Sequence, residues 1–247
     1  MAESDELIAR CLERLRSNDS EVKVDAINKL QAEFAAGVQP TEIEEVIAAL
    51  KTTLRIPNQH VTTASLSAIA ALFPVLIPES EEGVVNPHDA TVLRHALSAF
   101  LSAGGILDRL GDNRERARES ARDALVSVGN AVFKSNPNAA SMGAKTAHPP
   151  KGPEPPLAMF ERFLRELGFS SKVNRVREQS ILTLVQLRRS NPRFPIRPFL
   201  THLVDTLEDS DGGVRDCARA SVIEIFTAAG VSDGARADLK KEMAKKG

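Results

Sequence analysis

The stretch KVNRVREQS (172–180) carries a polar loop, an apolar residue, a cation and then a sequence that favours a helix. Similar stretches occur as RERARES (114–120) and GGVRDCA (212–218). They share one frame: Val or Ala, three residues, Ala or Ser, and an aliphatic residue four positions later. The frame occurs five times, at Val22/Ala26/Leu30, Val61/Ser65/Ile69, Ala117/Ala121/Leu125, Val176/Ser180/Leu184 and Val214/Ala218/Val222. Because spacings of four and eight lie on one helical face, the frame predicts five helices, each entered from a polar turn.

An amphipathic helix is also predicted before each of these turns. The candidates have leucine-type residues three or four apart and cover 6–15, 42–54, 92–101, 157–167 and 196–207. The unit is therefore helix, short turn, helix, and units begin about 40 to 60 residues apart, near the period of HEAT and armadillo repeats. Neither helix buries its apolar stripe alone, so the pairs must stack. We predict an all-α fold without strands, an α-solenoid of about six HEAT repeats.

The whole chain, 1–247, is predicted to be a single domain. A proline-rich segment at about 134–156 cannot form a core helix, and we interpret it as a flexible connector between the third and fourth units. A shorter break at 78–89 separates the second and third units. The segment at about 235–247 is predicted to be a basic C-terminal helix or tail.

Composition favours a soluble, intracellular protein. Two cysteines, Cys11 and Cys217, are too few for a disulfide framework and indicate a reducing compartment. The N-terminus is acidic and unlike a signal peptide, and the longest apolar run, 68–77, is too short to span a bilayer. The net charge of −1 gives no field toward nucleic acid. Nucleic acid is further disfavoured because the loops lack aromatic residues and carry acids, at Asp19, Glu21, Asp209 and Asp211.

Signatures of enzymes and metal sites are few. The histidines, at 60, 88, 95, 148 and 202, have no Cys or His partner at metal-ligand spacing. GAKT (143–146) lacks the glycine spacing and preceding strand of a phosphate loop, and DSDGG (209–213) lacks the later ligands of a calcium loop. We therefore expect no catalytic residue, no metal and no cofactor. An enzyme on a helical scaffold is the alternative of a different class.

Cations recur where a turn meets its helix. Four frames have one directly after their first residue, and the second frame has a threonine there: Lys23, Thr62, Arg118, Arg177 and Arg215. The third and fourth loops add Arg114, Arg116, Lys172 and Arg175. Because equivalent positions of a helical stack lie on one edge, this edge is predicted to be cationic across units three to five. Either the cations pair with acids of the neighbouring repeat, or they bind an acidic protein surface.

The stretches 170–187, 199–226 and 235–247 resemble a TOG domain of the CLASP family of microtubule-associated proteins, with the fungal members most similar. The stretch LGDNRERARESARDAL (110–125) is similar to the third repeat of such domains. The resemblance implies a flat paddle of six HEAT units whose intra-repeat turns bind tubulin. It also implies a role in microtubule dynamics and the mitotic spindle, and a location in the cytoplasm, cytoskeleton or spindle, with the nucleus added in closed mitosis. The domain would be the first TOG of a longer protein.

Carried onto this sequence, the resemblance assigns the binding residues to the last three turns. They are Asn113, Arg114, Lys172, Asn174, Arg175, Arg177, Asp211 and Arg215. The first turn departs from the family, because tubulin-binding TOG domains have a Trp there and this chain has none. The expected partner is αβ-tubulin. If the missing Trp makes the tubulin-binding site degenerate, the expected partner is instead a kinetochore or plus-end protein. The alternative function is that of a general HEAT adaptor unrelated to microtubules. No membrane partner is expected. Any oligomerisation would lie outside this domain.

Overall fold

Helices form in pairs around the predicted turns. The structure, a computed structural model, describes residues 2–77, 87–135, 152–228 and 231–245, and among them no strand occurs. The first helices of the units are α1 (Ala2–Arg14), α3 (Ile43–Leu54), α5 (Pro87–Leu101), α8 (Pro156–Phe163), α10 (Leu200–Leu207) and α12 (Asp233–Ala244). The second helices are α2 (Ser20–Ala35), α4 (Gln59–Val75), α7 (Glu115–Lys134), α9 (Asn174–Ser190) and α11 (Gly212–Thr227). Shorter elements are α6 (Ile106–Arg109), a π-helical segment (Leu164–Phe169) and a 3₁₀ turn (Arg197–Phe199).

The helices stack in two layers, as an α-solenoid requires. Neighbours in one layer are α2, α4, α7, α9 and α11, in that order. In the other layer α1 contacts α3, α3 contacts α5, α5 contacts α8, and α10 packs between the π-helical segment and α12. Contacts of α1 with α2, α3 with α4 and α10 with α11 join the layers. The predicted all-α solenoid is confirmed for the part of the chain that the structure describes, where α12 represents the sixth unit.

The frame residues form the inner surface of the second helices. All of them are buried except Val22 and Val222, which are partly exposed. Side-chain N-caps, which the sequence predicted for all five of these helices, are present at α2, α4 and α11; the N-cap residues of α7 and α9, Arg114 and Val173, make no such hydrogen bond among the described residues. Asp19 Oδ1 accepts the backbone N–H of Glu21 at 2.8 Å, and Asn58 Oδ1 accepts that of His60 at 3.0 Å. Each cap satisfies a donor that the first turn of a helix leaves free, so the turns fix where the helices begin.

Several helix boundaries differ from the sequence prediction. Helices α1 and α5 begin earlier than predicted, at Ala2 and Pro87, and the predicted helix 196–207 divides into a 3₁₀ turn and α10. The predicted helix 157–167 changes to π geometry at Leu164. This geometry brings Gly168 against α9, where a Cβ would lie 2.6 Å from Ser180 Oγ. A packing contact between the two helices of the fourth unit, which no local pattern encodes, accompanies the change in helix type.

Two predicted connections lie mainly outside the described residues. Helix α7 ends at Lys134 and α8 begins at Pro156, which are the predicted bounds of the connector. Residues 136–151, including GAKT, and residues 78–86 are not described. The single-domain assignment, the flexible connector and the end of the basic tail, of which α12 is described, therefore stay predictions.

One described stretch, His88–Arg109, is apolar and long enough to cross a membrane by length and composition alone. The sequence itself predicts no such stretch, because its longest apolar run is 68–77. More than half of its most apolar window is buried, and Leu93, Leu97 and Phe100 lie wholly in the core. Its composition is therefore accounted for by packing between neighbouring helices.

Glu161, on α8, is a half-buried carboxyl whose pKa burial raises from 4.5 to about 7, against the attraction of Arg165. The folded protein therefore binds a proton more readily at this site than the unfolded chain does. Its stability rises as the pH falls from above 7 toward 4.5, and the cost of the buried charge is fully present above about pH 7.

We expect Glu161→Gln to raise the free energy of unfolding at pH 8 by roughly 1–3 kcal/mol, because it removes the buried charge. Urea denaturation at pH 8 and pH 5 measures this change. The gain should shrink at pH 5, where the wild-type carboxyl is protonated. Glu208→Gln, at an exposed position after α10, is the matched control and should change stability little at either pH. An equal gain at both pH values would contradict the assignment.

Candidate protein-binding edge

The five polar turns that join the helices of each unit form what we call the turn edge. Its parts are residues 15–19, 55–58, 110–114, 170–173 and 208–211, together with the first residues of the following helices. Among the described residues, no three His, Cys, Asp or Glu side chains converge as a metal site would require. Both cysteines are free thiols whose pKa is raised by burial. The predicted site residues all lie on the turn edge.

The third, fourth and fifth turns are joined by side-chain hydrogen bonds. Arg175 Nη1 donates to Asn113 Oδ1 of the third turn, and Asn174 Nδ2 donates to Asp211 Oδ2 of the fifth at 2.7 Å. The hydrogen bond from Asn174 is the main reason that the pKa of Asp211 is lowered. The structure thus brings four of the predicted site residues into one continuous row across three units.

A largely buried ion pair lies next to this row. Arg177 donates from Nε and Nη2 to the two carboxylate oxygens of Asp209, at 2.6 and 2.7 Å. The side chains are only 14% and 9% exposed, respectively. The pair holds the pKa of Asp209 below its usual value, chiefly through the hydrogen bond from Arg177. This is the ladder between neighbouring repeats that was one of the two alternatives for Arg177.

The residue that follows the first frame position has the same role in every unit. Its side chain donates to a backbone carbonyl of its own turn, six residues earlier in four units and eight earlier in the first. The pairs are Lys23 with Leu15, Thr62 with Ile56, Arg118 with Asp112, Arg177 with Ser171 and Arg215 with Asp209. The second unit's threonine thus replaces a cation without loss of the contact. In this structure Arg177 and Arg215 hold turns together, and their contact with a partner stays a prediction.

Other predicted residues project from the edge. Asn113, Arg114, Lys172, Asn174 and Arg175 are all exposed. The side chains of Arg114 and Lys172 make no hydrogen bond or ion pair among the described residues, so their charges are free for a partner.

Val173 was not selected from the sequence, yet its side chain is 47% exposed between Lys172 and Asn174. An exposed valine next to the free cation of Lys172 gives this part of the edge an apolar contact as well as charge. Val173 lies outside the frame, which begins three residues later at Val176, and the frame does not indicate whether an apolar residue outside it is buried or exposed.

The first two turns differ in chemistry from the later ones. The first presents the exposed carboxylate of Asp19, and the second presents Pro57 and His60 with Ile56 half-buried. The first turn also exposes Arg16, and the second exposes Arg55, which donates to the carbonyl of Ala103 at 2.9 Å. Exposed cations are most numerous at the third and fourth turns, so an acidic surface would be attracted most strongly there.

Comparison with solved structures defines the class of fold. The MAST/Orbit N-terminal domain superposes with a TM-score of 0.58 at 20% identity and covers 96% of each chain. A second solved chain comes from work on TOG–tubulin binding specificity in microtubule dynamics and mitotic spindle formation. It superposes with a TM-score of 0.52 at 18% identity, and the match covers 98% of this chain and 88% of that one. At these identities the likeness establishes the fold alone. The protein is a TOG-type α-solenoid of HEAT repeats.

Sequence comparison then gives the family. Protein STU1 of Mycosarcoma maydis is 39% identical over 254 aligned residues, which include all of this chain and 18% of the relative. Protein STU1 of Cryptococcus neoformans is 28% identical over 92% of this chain and 19% of its own length. No family model matches the chain. The chain is homologous to the fungal STU1 proteins and belongs to the CLASP family, and it spans about a fifth of the length of these curated relatives.

Proposed function

We propose that this domain is a non-catalytic protein-binding module that acts in the regulation of microtubule dynamics and the mitotic spindle. The carrying observation is the exposed surface at the third and fourth turns, where Arg114 and Lys172 carry free charges and Val173, next to Lys172, is exposed. Homology to STU1 proteins and the likeness to a TOG domain studied with tubulin support a microtubule role over a general HEAT adaptor. The proposed location is the cytoskeleton and spindle of the cytoplasm, with access to the nucleus in closed mitosis.

The proposed partner is αβ-tubulin, held through an acidic patch on its surface. Cations at a partly exposed rim speed association and select the partner, while Val173 adds apolar contact. Asn113, Asn174, Arg175 and Asp211 keep the three turns in register for that contact. Arg177 and Arg215 act beneath them, by holding the turns.

A second candidate partner is a kinetochore or plus-end protein with a similarly acidic surface. It is favoured by one observation, the first turn. That turn has no aromatic residue and instead exposes Asp19, so it lacks the kind of anchor that often dominates binding energy. If this is the partner, the third and fourth turns bind it, and the domain does not bind tubulin stably.

The test is co-elution of the domain with soluble tubulin in size-exclusion chromatography, followed by measurement of Kd. Arg114→Glu/Lys172→Glu should weaken binding by about tenfold or more, because both free cations become repulsive. Lys240→Glu/Lys241→Glu makes the same change of charge at exposed positions of α12 and should leave Kd within about twofold, since screening limits distant charges.

The outcomes separate the two partners. A wild-type domain that binds tubulin, with loss only in the turn-edge variant, supports the tubulin proposal. A wild-type domain that does not bind tubulin rejects it and leaves the second partner. Binding that the turn-edge variant retains in full contradicts the assignment of the edge itself.

A further inference from the structure

A groove opens on the layer of second helices, away from the turn edge. It is a cavity of about 320 Å³ whose apolar lining includes Leu182 and Val185 of α9 and Cys217 and Ala220 of α11. These residues lie between one and a half and three turns into their helices, so the 1.5 Å rise per residue puts them roughly 8–17 Å from the turns. The groove is therefore a surface separate from the proposed tubulin contact.

Two arginines border the groove, and only one of them has a carboxylate partner. Arg189 of α9 donates to both carboxylate oxygens of Glu224 on α11, at 2.5 and 2.9 Å. Arg122 of α7 donates from Nη1 to the neutral amide oxygen of Gln179 at 2.8 Å. Its Nε is buried without an acceptor, and it forms no ion pair within the part of the chain that the structure describes.

This arrangement leaves the Arg122 guanidinium without a carboxylate partner, next to the apolar part of the groove floor. A guanidinium in a recess is stabilised most by a carboxylate, which it binds with strong, directional hydrogen bonds. An apolar floor of this size accommodates one or two side chains, which suits a short peptide segment and not a folded surface. Nucleic acid does not fit, because Glu224 stands at the rim and the floor has no aromatic ring for stacking.

We infer that this groove binds a short acidic segment of a partner protein, with a carboxylate of the segment on Arg122 and an adjacent aliphatic side chain on Leu182, Val185 and Ala220. The pair between Arg189 and Glu224 forms the far wall and orients the segment. The partner is defined by chemistry: alternating acidic and aliphatic residues in an extended or helical stretch. Such a site would allow the domain to hold a second protein while the turn edge is occupied.

The probe is a fluorescein-labelled peptide, acetyl-Glu-Leu-Glu-Leu-Glu-amide, titrated with the domain at low ionic strength in fluorescence anisotropy. We expect saturable binding to the wild type. Arg122→Gln should weaken it about fivefold or more, because a charge-assisted hydrogen bond is lost. Arg219→Gln makes the same change of charge on the exposed side of α11, outside the groove, and should alter Kd by less than about twofold.

A second variant keeps the test independent of any effect on folding. Ala220→Glu places a competing carboxylate at an exposed position in the groove wall, and it should weaken binding as much as Arg122→Gln while the melting temperature stays unchanged. The peptide acetyl-Lys-Leu-Lys-Leu-Lys-amide should not bind. Equal binding of the two peptides, no saturable binding, or full affinity in either groove variant would overturn the inference. So would concentration-dependent dimerisation abolished by Arg122→Gln, since the groove would then be occupied by a second copy of the chain.

Discussion

Asp209→Ala should lower the free energy of unfolding by about 3–5 kcal/mol, because it leaves the charge of Arg177 buried without its partner. Arg177 is 14% exposed, and among the described residues its guanidinium has one other acceptor, the carbonyl of Ser171. The substitution also removes the acceptor of the Asp211 backbone N–H. Urea denaturation followed by circular dichroism measures the change. Glu224→Ala, which removes the partner of the exposed Arg189, is the matched control and should cost less than about 1 kcal/mol.

A double substitution separates the charge from the packing. Arg177→Met/Asp209→Leu replaces both partners with apolar residues of similar length, so no buried charge remains. Most of the stability lost in Asp209→Ala should return, since a buried pair is often no better than a well-packed apolar one. If the double variant is as unstable as Asp209→Ala, the loss comes from the turn and not from the unpaired arginine. If Asp209→Ala costs no more than Glu224→Ala, the pair does not hold units four and five together.

The repeat could be read from the sequence because its signal is local. Spacings of four and eight between small or aliphatic residues report one buried face of a helix, whichever helix covers it. Residues such as Asp19 and Asn58 mark the helix starts through hydrogen bonds that span two or three residues. The π geometry after α8 could not be predicted, because it goes with the close approach of Gly168 to Ser180 on the partner helix, α9.

For the same reason, the sequence predicted only part of the candidate site. Arg175 and Arg177 stand two residues apart and look alike as sequence. One is exposed in the row that links three turns, and the other is buried on Asp209. Whether a cation pairs inside the protein depends on which carbonyl and carboxylate oxygens the folded turns bring near it. The frame contains no information about those oxygens. The exposure of Val173 and the uncompensated charge of Arg122 are likewise properties of neighbours in space.

Contacts among phenylalanine rings should make units three, four and five unfold together. Phe194 lies between α9 and the 3₁₀ turn, and its side chain is wholly buried. Its ring is 5.6 Å from that of Phe133, 6.4 Å from that of Phe160 and 6.5 Å from that of Phe199, measured between centroids. These partners belong to units three, four and five, so a single side chain joins three repeats.

Phe194→Ala should therefore destabilise the domain by about 3–5 kcal/mol, through lost burial and the cavity it leaves. Because nearest-neighbour contacts carry the cooperativity of a solenoid, we also expect the denaturation curve to broaden or divide into two transitions. Phe163→Ala is the control: that ring is partly exposed beneath Arg162, and its loss should cost less and leave one transition. Hydrogen exchange can locate the effect, since amides of α9 and α11 should lose protection before those of α2 and α4. Uniform loss of protection along the whole chain would instead mean that cooperativity does not depend on this aromatic cluster.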